Sequence, residues 1–223
     1  MATDHSEVVE EGTSVADRLP PTDTGDVLVC GPAMSGKTRM ALELLVAAVV
    51  ETEGRPFYVT TSGSATDARA RLDARTPEGA TLPKPAVVAC DGGAESDEFT
   101  RSVDTVGNLT GIASALTEMY DASRRSRRLG SRVLVDNVTA LLVAADLEPV
   151  YRFMHALTVR VAEAGGQTIA TLDTDGLAGG ERPALTGLFD TVVEVRHPDG
   201  SDPEYRLHEG DDWHGYLLPG ERQ

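Results

Sequence analysis

The stretch from Val27 to Leu45, VLVCGPAMSGKTRMALELL, has the residue types and spacing of a phosphate-binding loop. It matches the pattern G-x-x-x-x-G-K-[ST], the Walker A motif, without a mismatch. In such a loop, backbone N–H groups and the start of the following helix form a concave anion site, and the glycines let the main chain approach the phosphates. The motif therefore predicts a nucleotide site formed by Gly31, Pro32, Ala33, Met34, Ser35, Gly36, Lys37, Thr38 and Arg39.

Two side chains of this loop would do most of the binding. The ammonium group of Lys37 is expected to reach the β- and γ-phosphates, and the Thr38 hydroxyl is expected to ligate Mg²⁺. Lys37 and Lys84 are the only two lysines in the chain, so an incidental lysine at this position is a poor explanation. The cofactors predicted from the motif are ATP and Mg²⁺, although nothing in the sequence distinguishes an adenine pocket from a guanine pocket.

A second part of the site is predicted at the end of another buried strand. The run RVLVD delivers Asp136 to the carboxyl edge of a parallel sheet, where a carboxylate can hold a water molecule bound to magnesium. Asp136 is accordingly the first candidate for a catalytic residue, and Thr38 and Asp136 are the candidate metal ligands.

Strand-like and helix-like segments alternate along the chain, as the phosphate loop requires. This alternation predicts an α/β fold of the P-loop NTPase type, with a mainly parallel sheet flanked by helices. A turn and the run EYRLHE follow the last parallel strand and predict an antiparallel hairpin at the sheet edge. Strands are expected at residues 26–30, 56–61, 86–90, 132–136, 167–172 and 191–196, and helices at 37–52, 65–75, within 106–129 and at 146–164.

The length of 223 residues suits one domain. Residues 1–22 are polar and acidic and predict a flexible tail, which leaves residues 23–223 as a single nucleotide-binding domain. No run has 18 or more consecutive apolar residues, so a cytoplasmic protein without a membrane segment is expected. Cys30 and Cys90 each end an apolar run and are interpreted as small buried hydrophobic residues.

The chain is strongly acidic, with a formal net charge of -16 from 36 acidic and 20 basic residues. Such a surface repels itself at low salt and is tolerated where the Debye length falls to about 3 Å, near molar ionic strength. The composition therefore favours a halophilic, archaeal source over an ordinary acidic protein, and it gives little support to nucleic acid as a partner.

One dense basic segment, SRRSRRLGSR, interrupts this acidic background. It carries five arginines, which are interpreted as a solvated helix end in preference to a nucleic-acid or partner contact. They are Arg124, Arg125, Arg127, Arg128 and Arg132.

The order of these segments resembles the RecA superfamily, and within it the KaiC-like and RadA-like ATPases. The resemblance extends from Asp26 to about Trp213 through CGPAMSGKTRMALELL, PFYVTTSGSATDARARL, RVLVDNVTALL, GQTIATLDTDG and FDTVVEVR. More narrowly, the chain looks like the stand-alone, single-domain KaiC-like paralogues of haloarchaea. The resemblance implies a sheet in which the strand ending at Asp136 lies between those ending near Thr61 and Leu172, with the last beside the phosphate-loop strand.

The chain departs from this family at two positions. Members that hydrolyse ATP carry a glutamate just past the second strand, where this chain has Ser62 and Gly63, so the expected general base is missing. Asp173 stands where a glutamine or asparagine commonly senses the γ-phosphate. Three carboxylates remain as alternative catalytic groups, namely Asp67, Asp91 and Asp173.

These features leave several functions open. The first is a slow or partner-activated ATPase, and the second is a nucleotide-dependent adaptor that does not hydrolyse ATP. A recombination or DNA-repair mediator ranks lower, because aromatic residues are only 4% of the chain and no stacking platform is evident. The expected partners are a nucleotide and an unidentified protein, with a second copy of the chain among the alternatives.

Overall fold

A nine-stranded sheet organises the described part of the chain, in the order β4-β3-β2-β5-β6-β1-β7-β8-β9. The structure is a computed structural model that describes residues 25–93, 96–125, 131–177, 179–198, 202–207 and 211–215, without the side chains of residues 124 and 125. The predicted tail at residues 1–22 lies outside the described residues. The strands are β1 (Val27–Gly31), β2 (Pro56–Thr60), β3 (Ala86–Ala89), β4 (Thr100–Ser102), β5 (Arg132–Asp136), β6 (Gln167–Asp173), β7 (Thr191–Arg196), β8 (Glu204–Arg206) and β9 (His214–Gly215).

The pairing of the strands confirms the predicted fold class. All pairs from β4 across to β7 are parallel, and β7, β8 and β9 pair antiparallel as an edge hairpin. β5 lies between β2 and β6, and β6 lies beside β1, in the order that the resemblance implied. The carboxyl ends of β1, β2, β5 and β6 therefore meet at one edge of the sheet.

Helices cover both faces of this sheet. The cluster packed against one face includes α1 (Lys37–Thr52) and α2 (Ala65–Asp73), and the cluster on the other face includes α3 (Leu109–Arg125), α4 (Val138–Ala144), α5 (Leu147–Glu163) and α6 (Glu181–Thr186). Neighbouring strand residues point to opposite faces, so Leu28 and Val29 belong to different clusters although both are fully buried. A parallel sheet covered on both faces needs such continuous apolar strands.

The sequence patterns did not predict four short elements, namely β4, β9, α4 and α6. Each has two to seven residues, which is too short for a hydrophobic period to appear. Their formation depends on tertiary neighbours; β4, for instance, exists by pairing with β3. The ten longer predicted segments and the returning strand of the hairpin are present, with ends that shift by a few residues.

The interpretation of the basic segment needs one correction. Arg132 is the first residue of β5 and is buried, with 4% of its surface exposed, so it does not belong to a solvated helix end. Its backbone N–H donates a hydrogen bond to the Arg55 carbonyl, because β5 begins there beside β2. Arg127 and Arg128, and the side chains of Arg124 and Arg125, lie outside the described part.

Both cysteines are buried free thiols, as predicted. Burial raises the pKa of Cys30 and of Cys90 to about 11, so both stay protonated near neutral pH. Among the described residues, no helix is both long enough and apolar enough to cross a membrane.

Candidate functional site

The phosphate loop connects the end of β1 to the start of α1. A Cβ atom on Gly31 would collide with the carbonyl oxygen of Val195 in β7, so only glycine fits there. Gly36 has a φ of +91° and caps α1, and a Cβ atom on it would meet nothing within 4 Å. The first turn of α1 contains no acidic residue, so the positive end of its helix dipole faces this open space.

Ser35 gives an independent indication that this loop fits an anionic ligand. Its hydroxyl is buried and has no hydrogen-bond partner among the described residues. An unpaired buried hydroxyl costs about 1–3 kcal/mol, and a phosphate oxygen is a suitable acceptor for it. The loop therefore has an open space, an uncompensated helix end and a free donor at one place.

Lys37 is buried and bound to groups of its own chain. Its ammonium group donates a hydrogen bond to the carbonyl of Pro32 at 2.9 Å and forms an ion pair with Asp173 at 2.5 Å. The second oxygen of Asp173 accepts a hydrogen bond from the Asn137 side-chain amide at 3.0 Å. Asp173, which sequence analysis placed near the γ-phosphate, is thus the direct partner of the loop lysine.

Asp136 lies at the centre of a network of three hydroxyl groups. Its Oδ1 accepts hydrogen bonds from Thr38 at 2.9 Å and Thr171 at 2.6 Å, and its Oδ2 accepts one from Tyr58 at 3.0 Å. Asp136 is only 4% exposed, so these donors stabilise a nearly buried carboxylate. The structure thus brings Thr38 and Asp136 together.

Sequence reasoning missed Tyr58, Thr171 and Asn137 as parts of this site. Thr60 of β2 pairs with Asp136 of β5, and Tyr58 lies two residues before Thr60. The Tyr58 side chain therefore lies on the same face of the sheet as Thr60, and its long ring reaches the Asp136 carboxylate. Asn137 directly follows Asp136 and caps α4 through its side-chain oxygen. The Asp-Asn pair at a strand end was the available signal for Asn137, whereas Tyr58 and Thr171 needed the strand register.

The segment that would carry a catalytic glutamate contains only small residues. Ser62 and Gly63 follow β2 and are exposed, and the Thr61 backbone N–H donates to the carbonyl of Asp136 at 2.9 Å. The segment therefore runs beside Asp136 without supplying an acidic side chain.

Two of the alternative carboxylates have local partners. Asp67 is the third residue of α2 and closes a capping box with Ser64, whose backbone N–H and hydroxyl donate hydrogen bonds that lower the pKa of Asp67. Asp91 accepts from the Gly93 backbone and the Ser102 hydroxyl, which lower its pKa as well. A lower pKa makes each a weaker general base.

The far side of the phosphate loop borders a pocket of about 450 Å³, lined by residues 32–35 and 196–198. The Cζ atom of Arg196 lies 3.9 Å from the centre of the Trp213 ring.

On the loop itself, the Ala33 N–H donates a hydrogen bond to the carboxylate of Asp175 at 3.2 Å. Arg39 points along α1, where its Nε bonds to Glu43 at 3.1 Å.

A larger cavity, of about 550 Å³, lies between α3 and α5. Its walls are mainly apolar and include Leu116, Tyr120, Phe153 and Leu157. Its lining contains none of the phosphate-loop residues, so it is separate from the site described above.

The family model that matches residues 24–195 is described as a family of unknown function, DUF7504. The chain belongs to this family. No curated protein matches the DUF7504 chain at a significant level. Its fold is similar to the crystal structure of a KaiC-like protein from the hyperthermophilic archaeon Pyrococcus horikoshii OT3, with 15% sequence identity and a TM-score of 0.57 over 87% of this chain and 83% of that chain. At this identity the likeness shows the RecA-like fold alone.

Proposed function

We propose that this DUF7504 protein binds Mg-ATP and acts as a regulatory or signalling protein with weak or partner-activated ATP hydrolysis. The observation that carries the proposal is the 2.9 Å hydrogen bond from the Thr38 hydroxyl to the Asp136 carboxylate. It joins the phosphate loop to the end of β5, which is the pair of groups that a magnesium-bound triphosphate needs.

The residues present suit the two cofactors. Lys37, Ser35 and the N–H groups at the start of α1 would hold the phosphates, and Thr38 would ligate Mg²⁺ with Asp136 behind it. When bound, Mg²⁺ would supply positive charge that neutralises part of the charge of the phosphates. Both oxygens of Asp136 already accept hydroxyl donors, which favours contact with the metal through water.

The pocket beside residues 32–35 supports a ligand whose phosphates lie in the loop and whose nucleoside occupies this pocket. It adjoins the loop, and Arg196 and Pro198 form part of its wall. The Arg196 guanidinium lies over the Trp213 ring, and its planar group could in turn contact a base.

Weak hydrolysis follows from the missing base. Ser62 and Gly63 supply no carboxylate, and a hydroxyl group cannot take a proton near neutral pH. Loss of a general base costs typically 10² to 10⁴-fold in rate. The same observation favours the second candidate, a non-hydrolysing adaptor whose partner affinity depends on the bound nucleotide.

The acidic composition supports a cytoplasmic setting of high salt as a further part of the proposal. Of the two lysines, Lys37 is buried in the site and Lys84 alone is on the surface. The 36 acidic residues outnumber the 20 basic ones and give the net charge of -16, which concentrated salt would screen.

The proposal is tested by measuring Mg-ATP binding and phosphate release together, in roughly molar KCl chosen to screen the surface charge. We expect saturable binding, with phosphate release about 10² to 10⁴-fold slower than the 1–10³ s⁻¹ typical of enzymes. Binding without any release would favour the adaptor. Fast release by the isolated protein would contradict the weak-hydrolysis part, and absence of binding would overturn the whole proposal.

Asp175→Asn is expected to tighten Mg-ATP binding by about threefold to tenfold. The Asp175 carboxylate accepts a hydrogen bond from the Ala33 N–H, a donor that a phosphate would use, and its negative charge repels the phosphates. Binding titrations of the native protein and the variant measure the change. Asp121→Asn, an exposed site on α3, is the matched control and should leave affinity unchanged; weaker binding by Asp175→Asn would contradict the prediction.

A further inference from the structure

Arg71 approaches the segment after β2 from the helix that follows it. It lies in the last turn of α2 and is half-buried. Its Nη2 is 3.7 Å from the position that a Cβ atom would take on Gly63. Gly63 has a φ of +86°, and the absence of a side chain leaves the guanidinium next to the backbone. Asp67 Oδ2 lies 3.3 Å from the same point, so a guanidinium and a carboxylate both stand beside the position of the missing glutamate.

Arg71 is also close to the hydroxyl network of Asp136. Tyr58 is fully buried and donates to Asp136 Oδ2 at 3.0 Å. Burial and the nearby carboxylate of Asp136 raise the pKa of Tyr58, while a hydrogen bond and the charge of Arg71 oppose this rise. The guanidinium thus lies within reach of the Tyr58 hydroxyl, one hydrogen bond away from Asp136.

The acidic neighbour of Arg71 is Asp67, whose carboxylate is hydrogen-bonded to Ser64. Asp67 Oδ2 accepts hydrogen bonds from the backbone N–H and the hydroxyl of Ser64, at 3.0 and 2.8 Å. These bonds hold the Asp67 carboxylate in the capping box of α2, and they lower the pKa of Asp67 more than the charge of Arg71 does. The charge of Arg71 is therefore left with capacity for another anion.

The position of Asp136 indicates which anion that would be. In the proposed function Thr38 and Asp136 would hold Mg²⁺ beside the phosphates, and the γ-phosphate is the terminal group, farthest from the nucleoside. A guanidinium presents several N–H donors in a planar fork that suits phosphate oxygens. On the basis of the proposed function, we infer that Arg71 binds the γ-phosphate from within the same chain and makes the protein select triphosphate over diphosphate.

This role fits a site that senses a nucleotide more than one that consumes it. Arg71 would stabilise the terminal phosphate, while Ser62 and Gly63 supply no group to activate a water molecule. The bound triphosphate would then persist, and its γ-phosphate would order the segment between β2 and α2.

The test compares affinities for Mg-ATP and Mg-ADP in Arg71→Ala, Arg71→Lys and the native protein at one salt concentration. We expect Arg71→Ala to weaken Mg-ATP binding about tenfold to 100-fold, as for loss of a charge-assisted hydrogen bond, and Mg-ADP binding less than about twofold. Arg71→Lys should restore part of the ATP affinity. Arg152→Ala, an exposed arginine on α5, should change neither affinity.

An equal loss for both nucleotides, or no loss for either, would overturn the inference, because a purely structural role cannot separate ATP from ADP. If Arg71→Ala fails to fold, the ratio of the Mg-ATP and Mg-ADP affinities in Arg71→Lys tests the inference instead. Failure of the native protein to bind either nucleotide would refute the proposed function itself. If the native protein binds Mg-ATP and Mg-ADP and the ratio of the two affinities is the same in the variants, only the role inferred for Arg71 is refuted.

Discussion

Lys37→Ala is expected to weaken Mg-ATP binding by at least about 100-fold. The change removes the ammonium group that would bind the phosphates, and a charge-assisted hydrogen bond contributes about 1.5–3 kcal/mol. It also leaves the carboxylate of Asp173 without its partner at 2.5 Å, facing the phosphates. Attraction is thus replaced by repulsion in a largely buried place, so the loss should exceed that of the hydrogen bond alone.

The composition of the chain offers a close control for this experiment. Lys84 is the only other lysine; it lies on the surface, 3.6 Å from Asp97, so Lys84→Ala should bind Mg-ATP as the native protein does. Isothermal titration measures the affinities, and thermal melting without nucleotide shows whether each variant folds. Lys37→Met combined with Asp173→Asn removes both charges and serves if the single variant is unstable. Native-like affinity in Lys37→Ala would contradict the assignment of the loop.

Asp136→Asn is expected to remove most of the magnesium dependence of ATP binding. The amide keeps the shape of the carboxylate but loses its negative charge, and its Nδ2 cannot accept a hydrogen bond. At least one of the hydroxyls of Thr38, Thr171 and Tyr58 then loses its acceptor, which should lower the free energy of unfolding by about 1–3 kcal/mol. We expect the ratio of ATP affinities with Mg²⁺ and with EDTA to fall at least about tenfold.

Titrations with and without magnesium give this ratio for each protein. Asp146→Asn is the control, because Asp146 is an exposed residue at the start of α5 whose side chain makes no capping hydrogen bond. An unchanged ratio in Asp136→Asn would show that the carboxylate has only a structural role. A ratio that also falls in Asp146→Asn would trace the effect to general charge instead of the site.

The sequence was sufficient for the parts of the fold that have local causes. Continuous apolar runs predict buried parallel strands, and the spacing from Gly31 to Thr38 predicts the strand, loop and helix around it. The strand that ends in Asp136 is fully buried, as its composition requires. The position of Asp136 beside Thr38 follows once the strand order is known.

Other features depend on register and side-chain reach, which a single sequence does not contain. Tyr58 contacts Asp136 only because β2 pairs with β5 in one register. Asp173 pairs with Lys37 because β6 lies beside β1 and extends one residue past the expected end. Arg71 lies eight residues after Gly63, and its long side chain approaches Gly63 from α2. Each contact joins groups that no periodic pattern links.

The sheet of the described residues ends in very short strands on both sides. β4 has three residues and β9 has two, whereas the strands between β3 and β7 have four to seven. A long, flat edge strand can pair with another chain and start aggregation, and short edges are one way in which proteins prevent this. A second copy of the chain would therefore find little backbone to pair with at either described edge, so the short strands β4 and β9 disfavour open-ended growth of the sheet.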